Sequence, residues 1–428
     1  MLKLLNKYRK SPYIQNFAAL AGSEVIAQTI LIGVTPLLTR VYTPADFGQY
    51  EFFKSTALLL VVVAFLNYDV SIYTAKNDKE RVNSVLLSVL VLFIICLIAS
   101  IILFFFNDSF VNAFQSEIKN GWYWTLPVYA FFAALTNLML VVLTKDGSFF
   151  LMSKIKIAVS ILVAASQISF GYLKMGYWGL IYSTIIVQVI AFTSYFYPFL
   201  RINYMNFRLL DFSEMRKIMK ENWRLPSIVL PGNFLNNFVQ TLPVFFLGKI
   251  DINVLGYYSL ARRIIDFPLK FVTGAVQRLY INEIIDEVKE TGEGKRSFDK
   301  NLKLFSIIAL ILFLGILVFT KPVLPLLFGK EWTPAIPYII FLGLFFSIKF
   351  IFGGLSFVMI LGKAPKIDIL WQIFFGFIIF ISFTISLKIG LNSFNTLLVF
   401  VSCGISCYFI YGYICRKVAK DKNLLNSK

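Results

Sequence analysis

The strongest constraint on this chain is a succession of about twelve apolar runs, most close to the twenty residues a helix needs to cross a bilayer. They cover residues 13–39, 49–74, 84–106, 122–144, 157–173 and 178–199, then 226–248, 254–280, 304–320, 336–360, 369–387 and 395–415. In hydrocarbon every backbone N–H and C=O must find its partner within the chain, which leaves helices as the structure for such runs. The expected fold is all-α: a polytopic membrane protein of about twelve transmembrane helices. Composition agrees, because 58% of the 428 residues are hydrophobic, against about 45–50% in soluble domains. A soluble protein this apolar would expose large aggregating patches.

Net charge is +18, from 41 Lys and Arg against 23 Asp and Glu. In a soluble chain that excess would suggest nucleic acid; here it reads as topogenic, and no nucleic-acid partner is expected. With both termini on one side, loops on that side hold 28 Lys and Arg, loops on the other hold 7, and 6 lie within spans. Cytoplasmic loops collect Lys and Arg, so both termini are expected in the cytoplasm. The basic start, Met1–Lys10, precedes an apolar run longer than a signal-peptide core and is expected to lead into a retained first helix. The chain has no histidine, so imidazole chemistry and His metal sites are excluded. Its four cysteines, Cys96, Cys403, Cys407 and Cys415, all fall in apolar runs and read as packing residues rather than metal ligands. No metal, cofactor or catalytic residue is expected, and no phosphate loop for ATP hydrolysis is present.

A polar stretch divides the spans six and six. Within it, Phe212, Met215, Ile218, Met219 and Trp223 recur at helical spacing while Arg216, Lys217, Lys220 and Arg224 stay polar. That pattern predicts an amphipathic interfacial helix. The expected organisation is an N-terminal lobe over 1–199, an amphipathic cytoplasmic linker over 200–225, and a C-terminal lobe over 226–428. A short internal match supports two related halves: Pro36 with Pro243, Gly48 with Gly256, Tyr50 with Tyr258, and Lys54 with Arg262. Parallel repeats of this kind are a transporter architecture, with the substrate site expected in a central cavity between the lobes.

Several spans carry charges that hydrocarbon opposes by roughly 2.5–3.5 kcal/mol each at a helix centre. The eighth holds Arg262, Arg263, Asp266 and Lys270, and Arg262, Asp266 and Lys270 share one helical face. Glu24, Lys54 and Lys349 lie inside other spans, and the seventh repeats Asn233, Asn236, Asn237 and Gln240. Glu24 is a candidate coupling-ion site or a partner of Lys54 or Arg262. Together these residues point to a water-filled cationic cavity for an anionic ligand, with Arg able to grip phosphate oxygens in paired fashion.

The stretch "LLTRVYTPADFGQYEFFKS" resembles the polysaccharide flippases of the multidrug/oligosaccharidyl-lipid/polysaccharide exporter superfamily, the Wzx-type O-antigen translocases. That family shows a similar Arg–Tyr–x–Pro–x–x–Phe–Gly signature, met here by Arg40, Tyr42, Pro44, Phe47 and Gly48. The resemblance continues at 225–250, at 255–280 and in "LLFGKEWTPAIPYI", 326–339. Where many relatives carry a basic residue before a Tyr–acidic pair, this chain has Asn67 before Tyr68 and Asp69. The resemblance implies a multi-pass protein of the bacterial inner membrane. It would move an undecaprenyl-pyrophosphate-linked oligosaccharide, such as an O-antigen, lipopolysaccharide or capsule repeat unit, to the periplasmic leaflet. Polysaccharide polymerase and export proteins would be its partners, with Arg40, Pro44, Gly48 and Asp69 in structural or gating roles. Two readings compete. A drug exporter of the same superfamily would carry a cationic cargo and favour acids, yet cations outnumber acids within the spans. A membrane glycosyltransferase, ligase or polymerase usually needs a large outer loop, and the longest here, 107–121, is short.

The charge bias predicts that single cysteines placed within 281–303 react with impermeant thiol reagents only from the cytoplasm, and those within 107–121 only from the opposite side. Labelling of the reverse sense overturns this orientation.

Overall fold

The computed structural model describes residues 12–106, 121–203, 208–362 and 365–421. The basic segment Met1–Lys10 and nearly all of the expected outer loop 107–121 lie outside the described residues. Among the described residues every regular element is helical. The principal helices are α1 (Pro12–Val41), α2 (Pro44–Val63), α3 (Ser71–Thr74), α4 (Asp78–Phe105), α5 (Leu126–Lys145), α6 (Phe149–Tyr172) and α7 (Tyr177–Asn203). They continue as α8 (Phe212–Glu221), α9 (Leu230–Ile250), α10 (Ile252–Thr291), α11 (Lys295–Phe328) and α12 (Ala335–Gly354). The short α13 (Phe357–Leu361), α14 (Pro365–Ile389) and α15 (Ser393–Lys420) complete the chain.

By length and composition, nine helices among the described residues can cross a membrane, ten if α2 and the bent segment after it form one span. The protein is thus a multi-pass membrane protein of all-α fold. Helices α9 and α10 are long enough but fall outside that set. The reason is chemical: α9 carries four side-chain amides and α10 a cluster of charges, so neither has a face-to-face apolar surface. Within the spans, many hydroxyls are absorbed by the helix's own carbonyls, as in Ser88 Oγ to Ser84 O at 2.8 Å and Ser153 Oγ to Phe149 O at 2.8 Å.

The chain separates into two compact units, one of 1–42 and 49–238, the other of 43–48 and 239–428. Two helices are therefore divided: the first turn of α2 counts with the second unit, and the first part of α9 with the first. In the first unit α1 packs along α6, and α5 and α6 both pack against α7. Its core joins Phe65, Ile72, Leu92, Leu138, Val142 and Tyr195. Trp122 is fully buried, donating Nε1–H to Gln49 Oε1 at 3.3 Å between the rings of Phe52 and Phe53.

The amphipathic stretch forms α8, and it packs on protein as well as facing outward. Met215 and Ile218 are buried against Tyr68 and Leu87, while Phe212, Met219 and Trp223 are exposed. Asp211 caps α8 by accepting from Ser213 N at 2.9 Å, and Lys79 Nζ donates to its other oxygen at 2.8 Å. The Lys79 ammonium, helped by the Ser213 N–H, holds the Asp211 carboxyl below the usual carboxylate range. Beside it, Asn67 adopts a left-handed backbone with φ 63° at the bend after α2, where asparagine is one of the few tolerated non-glycine residues.

In the second unit the signature sequence becomes a joint. Thr43 and Asp46 close a reciprocal cap on α2: Asp46 Oδ2 accepts from Thr43 N at 2.9 Å and Thr43 Oγ1 at 2.8 Å, and Asp46 N donates to Thr43 Oγ1 at 3.2 Å. Pro44 fills the first helical position, where its missing N–H costs nothing. Asp251 caps α10 in turn, accepting from Asn253 N at 2.8 Å. The two capped starts then cross as equals. A methyl group on Gly48 would stand 2.1 Å from the backbone oxygen of Ile252, and one on Gly256 would stand 1.9 Å from that of Pro44. Each glycine thus faces the carbonyl four residues before the other. The ring of Phe47 meets buried Trp332 edge-on at 5.0 Å, Tyr257 meets the same indole at 6.2 Å, and the Arg263 guanidinium lies 5.7 Å from the centre of Phe47.

Two predictions follow from these contacts. Gly48→Ala and Gly256→Ala should each lower thermal stability in detergent, by about 1–3 kcal/mol from overpacking. The double variant should lose less than the sum, because one methyl already parts the helices; strict additivity would show the sites to be independent. In the first unit Arg81 Nη2 lies 2.5 Å from Asp146 Oδ1, with both side chains only 12% and 11% exposed. Arg81→Met leaves that carboxylate buried without its ion-pair partner, at a cost of about 3 kcal/mol, whereas Arg81→Met with Asp146→Leu should recover most of it. Wild-type stability in the single variant would remove the pair from the fold's determinants.

Candidate functional site

A cavity of about 330 Å³ lies within the second unit, enclosed by α9, α10, α12, α14 and α15. Its polar wall comes from Gln240 on α9, Tyr258, Arg262 and Thr273 on α10, and Lys349 on α12. Its apolar wall is largely aromatic: Phe345, Phe346 and Phe350 on α12, Phe375 on α14, and Phe400 with Tyr408 on α15. Among the described lining residues two are cations and none is acidic. The helical repeat positions Tyr258, Arg262, Leu269 and Thr273 on one face of α10, so one stripe supplies both polar and apolar contacts. Lys349 Nζ sits 6.0 Å from the centre of the Phe346 ring, a cation over an aromatic face at the edge of the favourable range. Thr273 Oγ1 is turned to its own helix, donating to Leu269 O at 2.6 Å.

Chemically, the arrangement can set an anion against two cationic groups and flat apolar faces at once. A guanidinium offers paired N–H donors, the lysine a mobile point charge, and the aromatic walls offer flat surfaces of the kind sugar rings and lipid chains lie against. The low polarity of the surroundings strengthens each charge contact relative to water.

Of the residues singled out in the sequence, only some line it. Arg262 and Lys349 are brought together in the cavity wall, although 87 positions separate them. Arg263, one position on, is instead placed at the Phe47 ring. Asn233 and Asn237 lie earlier on α9, in the part that counts with the first unit, where Asn237 Nδ2 donates to Asn233 O at 2.8 Å. Asp266 and Lys270 belong to α10, and their side chains lie outside the described residues. Pro44 and Gly48 form the joint with α10 described above.

The others belong to the first unit. Glu24, exposed on α1, pairs with Lys156 of α6 and accepts from Gln28 Nε2 at 3.3 Å. Sequence reasoning proposed Lys54 or Arg262 as its partner and missed Lys156, because helical spacing does not reveal that α1 packs along α6. Lys54 is exposed on α2, 6.0 Å from the centre of the Tyr50 ring. Arg40 is exposed in the last turn of α1, and Asp69 is half-buried in the turn 68–70. The aromatic wall was also missed. A chain with 46 phenylalanines offers no pattern that separates those facing lipid from those lining a cavity.

The helical fold is shared by known membrane transporters. The chain superposes on a multidrug resistance MATE family transporter of the MOP superfamily in an inward-facing conformation with a TM-score of 0.65 and 14% identity, over 91% of this chain and 94% of that one. It superposes on the lipid II flippase MurJ in an inward closed conformation with a TM-score of 0.67 and 14% identity, over 93% and 87%. A MOP superfamily transporter from Pyrococcus furiosus gives 0.52 and 13%, over 97% of each chain. At these identities the likeness defines the fold, that of the MOP superfamily transporters. No curated protein matches the chain. Residues 37–337 match the family described as polysaccharide biosynthesis protein, and the chain belongs to that family.

Proposed function

We propose that this protein is a flippase that carries an undecaprenyl-pyrophosphate-linked oligosaccharide from the cytoplasmic to the periplasmic leaflet of a bacterial inner membrane. The observation that carries the reading is the second-unit cavity, where Arg262 and Lys349 stand among aromatic rings in a member of a polysaccharide biosynthesis family. An undecaprenyl-linked pyrophosphate sugar presents an anion, hydroxylated rings and an apolar tail, and this wall has a counterpart for each. The likeness to the lipid II flippase MurJ supports transport of a lipid-linked glycan on this fold. Likeness to multidrug transporters of the same fold supports a transporter over an enzyme, and the two cations among the described lining residues favour an anionic cargo.

The mechanism that fits is alternating access by two lobes, with the head group shielded while the lipid tail stays in the bilayer. Moving the head unaided would strip water from charges and hydroxyls together, which hydrocarbon does not repay. Arg262 would hold phosphate oxygens through paired N–H donors and Lys349 would balance remaining charge. Glu24, Lys54, Asn233, Asn237, Arg263, Asp266 and Lys270 are proposed to serve the same path. Arg40, Pro44, Gly48 and Asp69 would set the geometry of the moving helices. O-antigen, other lipopolysaccharide and capsule units share the required chemistry, and polymerase and export proteins would receive the product.

The reading is tested by surface polymer display in a flippase-deleted strain, with protein abundance measured in parallel. Arg262→Lys should reduce display partly, and Arg262→Ala by roughly tenfold or more, the scale of one lost charge-assisted contact. Normal display from a well-expressed variant carrying both Arg262→Ala and Lys349→Ala would exclude the cavity as the transport site.

A further inference from the structure

The five apolar residues that make the stretch around α8 amphipathic along the chain do not share one environment. Met215 and Ile218 turn inward onto Tyr68 and Leu87, while Phe212, Met219 and Trp223 turn outward. At about 100° per residue, Phe212 and Met219 lie within about 20° of one another, Arg216 and Lys220 fill about the next 80°, and Glu214 and Glu221 fall on the far side. Trp223, just past the helix, is 55% exposed, and the Arg224 guanidinium lies 6.0 Å from the centre of its ring. Lys217 is engaged by Glu214 at 3.1 Å. Arg216, Lys220 and Arg224 are exposed and, among the described residues, unpaired with any carboxylate. An outward apolar stripe thus runs beside an uncompensated cationic one, and the acids keep off the apolar stripe.

Protein contacts set this orientation. Asn83 of α4 fastens the approach to α8, its Oδ1 accepting from Asp211 N at 2.8 Å and its Nδ2 donating to Leu209 O at 3.0 Å. Lys79 and the Ser213 N–H then hold Asp211 at the cap. Leu86, Leu87 and Val91 of α4 pack in the cluster that Met215 and Ile218 enter. The exposed apolar face of α4 starts at that same level, with Leu90, Phe93, Ile94 and Leu97. Helix α8 therefore lies where the lipid-facing surface of the first unit begins, at the end that the charge bias assigns to the cytoplasm. A tryptophan flanked by cations is the combination that the head-group level favours.

We infer that this surface is a docking site for anionic phospholipid. Phe212, Met219 and Trp223 enter the acyl boundary of the leaflet, and Arg216, Lys220 and Arg224 hold head-group phosphates beside them. A zwitterionic head group neutralises its own phosphate, so the cationic stripe selects lipids of net negative charge. An acidic protein would satisfy the cations but leave the apolar stripe, set beside the lipid-facing surface of α4, without a partner. Because the inward face of α8 holds Tyr68, docking also steadies the turn 68–70 that follows α2. Docking of this kind is independent of the proposed transport function.

The test places the full-length protein in phosphatidylcholine vesicles containing a minor share of phosphatidylglycerol, with bromine on the acyl chains of one lipid or the other. Bromine close to the glycerol end quenches tryptophan, and comparison of the wild type with Trp223→Phe isolates the Trp223 signal. Per mole of brominated lipid, phosphatidylglycerol should quench Trp223 about threefold or more strongly than phosphatidylcholine, the scale of a few surface cations acting on an anionic lipid. Arg216→Gln, Lys220→Gln and Arg224→Gln together should bring the ratio to about one, while Arg216→Lys with Arg224→Lys keeps the charge and should keep the ratio. Equal quenching by the two lipids in the wild type overturns the docking site, as does a ratio that survives the triple glutamine variant or is lost in the lysine variant. Absence of Trp223 quenching by either lipid overturns it too and turns the stripe toward a soluble partner. Loss of the preference on adding undecaprenyl phosphate, but not on adding unlabelled phosphatidylglycerol in equal amount, would assign the stripe to a polyprenyl phosphate and equally overturn it.

Discussion

Hydrocarbon solvates neither a charge nor an unpaired amide, and the architecture of this protein follows from that. It forces the backbone into helices, turns serine and threonine hydroxyls onto their own helix's carbonyls, and confines ionisable side chains to places where other groups meet them. The two helices richest in polar residues along the chain, α9 and α10, both contribute to the cationic cavity, which gathers Gln240 and Arg262 with Lys349 of α12.

The family signature has a concrete physical meaning in this chain. Thr43, Pro44 and Asp46 start a helix, Phe47 seats on Trp332, and Gly48 lets that helix touch the start of α10. Gly256 does the same from the other side. Three separate motifs of the resemblance, around Gly48, Gly256 and Trp332, meet in the second unit, although the first belongs by sequence to the N-terminal half. The internal match of Gly48 with Gly256 is mirrored in equivalent contacts. Close backbone approach excludes any side chain at either position, and this accounts for glycine at both.

The cavity takes its two described cations from α10 and α12, so a shift of either helix reshapes it. Arg263, beside Arg262, stacks on the Phe47 ring of the glycine joint. Adjacent arginines thereby couple the joint to the cavity wall through a single turn of helix, a short and stiff connection between a structural contact and a ligand-facing one.

Much of the fold was legible in the chain itself. Apolar runs of bilayer length dictate helices, because a helix satisfies the backbone of a twenty-residue run within itself. The amphipathic helix at 212–221 was visible in its spacing, yet only packing showed Met215 and Ile218 turned onto Tyr68 and Leu87. The charges of α10 announced that something must accompany them, but not what. Helical periodicity assigns a residue to a face, and it carries no information about which distant helix that face will meet. Tertiary structure therefore decided that Glu24 pairs with Lys156, that Arg262 shares a wall with Lys349, and that Arg263 turns to Phe47. Those choices depend on contacts between helices far apart in sequence, where shape and burial select among many partners that local chemistry leaves equal.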